Sequence, residues 1–70
     1  MMPLTMGPRG ELLNIKKIIG KDEAKRHLAD LGLIEGESIT VVAEMAGNLI
    51  INLRGARIAI DKALATRIMI

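Results

Sequence analysis

Apolar positions recur at every second residue in several short stretches of this chain, and at helical spacing in only one. Leu13 and Ile15 alternate with Leu12, Asn14 and Lys16, the pattern of a strand with one buried face. Ile18 breaks the phase, so residues 11–19 are predicted to form a strand with a bulge or bend near Lys16 and Lys17. Gly20 then punctuates. Ala24, Leu28 and Leu31 fall at i, i+4 and i+7, one helical stripe, with Glu23, Arg26 and Asp30 on the other side. Asp22 suits an N-cap, Glu23 the first turn, and Gly32 a left-handed C-cap, which predicts a short amphipathic helix over residues 22–31. The exit loop carries Leu33 and Ile34 before Gly36, apolar content that a plain linker lacks.

The remainder reads as a meander. Ile39, Val41 and Ala43 alternate with Ser38, Thr40 and Val42. Leu49, Ile51 and Leu53 alternate with Asn48, Ile50 and Asn52, and Ile58 and Ile60 with Arg57 and Ala59. A Met45-Ala46-Gly47 bulge turn pairs Glu44 with Asn48, Ala43 with Leu49, Val41 with Ile51 and Ile39 with Leu53. A two-residue Arg54-Gly55 turn pairs Leu53 with Ala56, Ile51 with Ile58 and Leu49 with Ile60. Both hairpins set the same three middle-strand residues on one face, and a one-residue slip would destroy that agreement. Asp61 is placed to cap one helical turn through Leu64, and residues 66–70 form a last strand with Ile68 and Ile70 inward. At the other end, residues 1–9 form an arm in which Leu4 and Met6 lie extended on the domain, ending in a Pro8-Arg9-Gly10 turn. The class is mainly β: about five short strands in a small, strongly bent barrel, with one inserted amphipathic helix and a C-terminal helical turn.

Composition narrows the function. The chain's 70 residues make one domain, 1–70. Without Cys there is no disulfide framework, thiolate metal site or thiol nucleophile. Without Phe, Trp or Tyr there is no base-stacking platform and no aromatic groove for polyproline. The net charge of +2 is too balanced to argue for nucleic acid. No apolar run approaches a membrane span and the first residues lack a signal-peptide pattern, so a cytoplasmic location is expected. Half the chain is apolar, more than a domain this small buries, which predicts an exposed apolar patch for a protein partner or for self-association.

Candidate chemistry is sparse. His27 and Glu23 stand four apart on one helix side and supply two metal ligands where three or more are needed, so His27 reads as a boundary residue. The Met thioethers suit copper(I) rather than ferrous iron, and Met45 and Met69 read as adaptable apolar contacts. Gly32 and Gly36 lack the Lys-Ser/Thr of a phosphate loop. No Ser or Thr has a base placed by motif, and no cofactor is expected, so the chain reads as a non-enzyme. Lys16, Lys17, Lys25 and Arg26 are interspersed with acids and read as solvated surface, with a nucleic-acid-binding barrel as a minor alternative.

The segment Arg26-His27-Leu28-Ala29-Asp30-Leu31-Gly32-Leu33-Ile34-Glu35-Gly36 resembles the Arg-x-Leu-x-x-Leu-Gly-Leu-x-x-Gly signature of the ferrous iron transport protein A (FeoA) family. Gly10-Glu11 and residues 47–61, with Leu64, Ala65 and Ile68, are similar as well, so the resemblance runs over nearly the whole chain. It implies an SH3-like barrel and a cytosolic accessory protein of ferrous iron uptake. The implied partner is the cytosolic GTP-binding region of FeoB, a membrane transporter. Lys25, Arg26, Leu28, Leu31, Leu33 and Ile34 are the expected docking residues, with Gly32 and Gly36 shaping the loop. The same domain type ends diphtheria toxin repressor-like metalloregulators, which implies a transition-metal-binding regulatory module as the alternative. This chain departs from that pattern, since His27 is its one borderline nitrogen ligand.

Overall fold

A computed structural model describes all 70 residues. Six strands and two helices follow one another as β1 (Leu12–Asn14), β2 (Lys17–Ile18), α1 (Asp22–Asp30), β3 (Ser38–Met45), β4 (Asn48–Leu53), β5 (Ala56–Asp61), α2 (Lys62–Ala65) and β6 (Ile68–Met69). The stretch expected as one bent strand is two. β1 pairs with β3, whereas β2 pairs with β6, and the chain changes partner at Ile15 and Lys16. The Ile15 N–H donates to the Glu37 carbonyl and the Lys16 N–H to the Met69 carbonyl, so the break in alternation is the step between two sheets. The larger sheet has the order β1-β3-β4-β5, and β2 with β6 forms the smaller one. The two close over a single cluster of 12 buried residues, all apolar.

The β4–β5 hairpin has the expected register, with Leu53 opposite Ala56, Ile51 opposite Ile58 and Leu49 opposite Ile60. The β3–β4 hairpin corrects the expectation at its tip. Its turn is Ala46-Gly47, pairing Met45 with Asn48, Glu44 with Leu49 and Ala43 with Ile50. A bulge between Val41 and Ala43 then restores Val41 opposite Ile51. The extra residue lies inside the strand rather than in the turn, and the core register survives because Ile39, Val41, Leu49 and Ile51 still face inward.

Both chain ends are tied down. The Met2 N–H donates to the Ile70 carbonyl and the Ile70 N–H to the Met2 carbonyl, with Pro3 opposite Met69. The extended part of the arm is therefore residues 2–3. Leu4–Met6 forms a 3-10 turn, and Leu4 enters the core while Met6 stays exposed. Asp61 caps α2 as expected, its side chain accepting from the Leu64 N–H at 2.8 Å. The last strand begins later than expected, because the Thr66 and Arg67 N–H groups still close the end of α2. At α1 the N-cap is Lys21, with no side-chain cap bond. Lys21 is extended and its carbonyl accepts from the Lys25 N–H, so Asp22 becomes the first helical residue and acts through the helix dipole.

Candidate functional site

The stretch from α1 to β3 is built around one anchor and one cap. Leu28 is the only buried residue of the nine in α1; Ala24 is half-buried and the rest lie exposed. The helix ends in a Schellman arrangement. The Gly32 N–H donates to the Ala29 carbonyl at 2.9 Å, and the Leu33 N–H to the Leu28 carbonyl at 2.9 Å. Gly32 has φ +90°, the conformation that requires glycine, and a Cβ there would also press on the Leu53 side chain at 3.0 Å.

The loop that follows is pinned from three sides. The Glu37 N–H donates to the Ile34 carbonyl, closing a turn whose third residue, Gly36, lies at φ +90°. The Gly36 N–H donates to the Ile15 carbonyl at 2.8 Å, and its carbonyl accepts from Asn14 Nδ2 at 3.2 Å. Arg54, in the β4–β5 turn, grips Glu37 with Nε to Oε1 at 3.2 Å and Nη2 to Oε2 at 3.0 Å. That hydrogen-bonded guanidinium holds the Glu37 carboxyl below its ordinary range and raises Arg54 in turn.

Within this frame the expected docking residues separate into two groups. Leu28 and Leu33 are fully buried, and Leu31 is half-buried, so these leucines support the helix and loop from below. Ile34 is 51% exposed at the tip of the pinned turn. Lys25 and Arg26 are exposed on α1 and enter none of the chain's three ion pairs. The outward set is thus Lys25, Arg26 and Ile34. Other exposed large apolar side chains, including Leu12, Met45 and the chain-end methionines, lie outside this stretch. The alternation places Leu12 and Val42 outward; the remaining ones lie at turns, loops and chain ends, where periodicity is silent.

Glu23 and His27 line an open cleft of about 490 Å³ together with Asp61, Lys21 and Arg67. No three His, Cys, Asp or Glu side chains come together to hold a metal ion anywhere in the chain. Asp61 already spends one carboxylate oxygen on the α2 cap, and two cationic side chains share the cleft. These residues do not fit a resident metal. No helix is long and apolar enough to cross a membrane.

Comparison with known proteins adds the family. The FeoA domain model matches residues 2–70. "Putative Fe(2+) transport protein A" of Methanocaldococcus jannaschii is 34% identical over 70 residues, covering 100% of this chain and 85% of that protein. The crystal structure of an iron uptake regulatory protein (FeoA) is 37% identical with a TM-score of 0.86, covering 97% of this chain and 90% of the other. The zinc-complexed FeoA of Stenotrophomonas maltophilia, described as a prokaryotic SH3 domain protein, matches in fold at a TM-score of 0.80 and 23% identity, over 99% and 88% of the two chains.

Proposed function

The chain belongs to the FeoA family, which is associated with ferrous iron transport, and from that premise we propose that it is a cytoplasmic accessory protein. It docks on the cytosolic GTP-binding region of a FeoB-type transporter and modulates iron passage there. Iron is the transporter's cargo, and the accessory protein performs no catalysis of its own.

The observation that carries this reading is Ile34, half-exposed on a loop fixed by hydrogen bonds to β1 and by Arg54. A rigid apolar tip loses little conformational entropy on binding, which favours its use as an anchor. Lys25 and Arg26, free of internal partners, supply positive charge for steering towards an acidic surface.

A titration of the transporter's cytosolic region with the Ile34→Asp variant tests this. Loss of at least roughly tenfold in affinity is expected, since an anchor in a desolvated contact commonly contributes more than a factor of ten. Lys25→Glu with Arg26→Glu should slow association and reduce its salt dependence. Folded variants that bind as the parent does would overturn the docking role.

The alternative, a metal-binding regulatory module, draws support from the zinc complex of the S. maltophilia protein. Here it has only Glu23 and His27 to build on. Equilibrium dialysis against ferrous iron and zinc separates the two readings: binding that His27→Ala abolishes favours the module.

A further inference from the structure

β5 is an edge of the four-stranded sheet, with β4 on one side and no strand on the other. Its two-residue turn makes Leu53 and Ala56 the closing hydrogen-bonded pair, and such pairs recur at every second residue. Ala56, Ile58 and Ile60 therefore spend their backbone groups on β4. The N–H and C=O groups of Arg57 and Ala59 and the N–H of Asp61 point away from the sheet, and all three residues are exposed; the Asp61 carbonyl, at the N-cap of α2, takes the first bond of that helix.

This edge is complementary to itself. In an antiparallel pair centred on Ala59, Arg57 of each copy stands opposite Asp61 of the other, and Ile58 opposite Ile60. Arg57–Asp61, Ala59–Ala59 and Asp61–Arg57 are then the hydrogen-bonded pairs, matching the groups that β5 leaves free and the second lone pair of the Asp61 carbonyl. The same register directs both charge pairs to the outer face and covers the half-exposed Ile58 on the inner one. A slide of four residues sets Arg57 against Arg57 or Asp61 against Asp61, and a slide of one opposes outward to inward backbone groups. Neither residue has an ion-pair partner within the chain. Asp61 binds the Leu64 N–H through Oδ1 alone, which leaves Oδ2 for a guanidinium.

We propose that this protein forms a two-fold dimer by antiparallel β5–β5 pairing, with reciprocal Arg57–Asp61 ion pairs fixing the register. Edge charges usually keep foreign strands away; here they admit one partner, a second copy. The dimer joins two four-stranded sheets into one continuous sheet, the self-complementary contact that two-fold symmetry demands.

Sedimentation equilibrium of the full chain from micromolar to millimolar concentration tests the proposal. A reversible monomer–dimer equilibrium is expected. Arg57→Glu places like charges opposite each other twice and should weaken the dimer by roughly tenfold or more. Asp61→Asn retains an N-cap side chain, keeps α2, and should weaken it less. Ala59→Pro removes an outward N–H that the fold does not use and should abolish pairing. Amide exchange supplies a direct readout: the Arg57, Ala59 and Asp61 N–H groups become protected only where the dimer is populated. A chain that stays monomeric at millimolar concentration overturns the proposal, as does a dimer whose affinity is indifferent to Arg57→Glu and Ala59→Pro. A monomer that still binds its transporter leaves the docking function intact, so the two ideas fail separately.

Discussion

Ala46 sits in the left-handed region at φ 51°, as the first residue of a turn that glycine completes. The turn needs a positive φ at both central positions, and alanine meets the first at a steric cost. Arg54 opens the other hairpin turn at the same φ of 51°, but its guanidinium holds Glu37 in compensation. Ala46 has no such compensation. Ala46→Asn should therefore raise stability by on the order of 1 kcal/mol or less, because asparagine tolerates this region better. A thermal melt reads the change as an upward shift of a few degrees; a downward shift would mean that the turn is not built this way. The contrast between the two turns also explains why only one was legible. Arg54-Gly55 fits a two-residue turn with the alternation intact on both sides. At Met45-Ala46-Gly47 the count of residues was right, and nothing in the chain says whether the surplus one belongs to the turn or to a bulge.

α1 is a short element that survives on tertiary support. A helix of nine residues is marginal in isolation. Here Leu28 anchors it, and the Leu33 N–H bonds back to the Leu28 carbonyl while both side chains enter the core. Leu33→Ala should lower stability by about 2–5 kcal/mol, the range for a large buried side chain reduced to alanine, whereas Ile34→Ala should stay within about 0.5 kcal/mol. Urea unfolding of the two variants checks the difference; equal losses would contradict the division between core and surface. The signature residues gave the helix, its glycine cap and the following glycine turn from sequence, because each has a local backbone cause. Which of two neighbouring loop residues faces inward has none, so Leu33 and Ile34 were indistinguishable until the cap geometry fixed them. The split of β1 from β2 was hidden for a related reason. Ile18 marks the slip, but the change of partner at Ile15 and Lys16 depends on the C-terminal residues returning to pair with β2. Non-local pairing of that kind leaves no trace in a single segment's pattern.

At the scale of the molecule, the three ion pairs tie separate parts of the chain together at the surface. Arg54–Glu37 joins the β4–β5 turn to the start of β3, while Arg9 and Lys62 meet on Glu44 near the far end of that strand. Glu37 is held below the ordinary carboxylate range by its hydrogen bond from Arg54, and Glu44 by its hydrogen bond from Lys62 with the charges of Lys62 and Arg9 added. A carboxylate with a folded pKa below its unfolded value stabilises the fold at every pH above the unfolded value. That stabilisation disappears as pH falls through the folded value. The unfolded glutamate value is about 4.3, so stability should hold from neutral pH to about pH 5 and then fall. Replacing both, as Glu37→Gln with Glu44→Gln, should lower the melting temperature at neutral pH and shrink its decline between neutral pH and pH 3. Added salt should shrink it too, since both groups are solvent-exposed and screened. Parallel melting curves for parent and double variant across that range would show that the acid response originates elsewhere. Because Glu37 also fixes the loop that carries Ile34, acid should loosen the proposed docking surface before it unfolds the core, whose 12 buried residues include no titratable group. Titrating the transporter's cytosolic region at falling pH, alongside a fold readout, would expose that order: affinity declines first, and the melt follows.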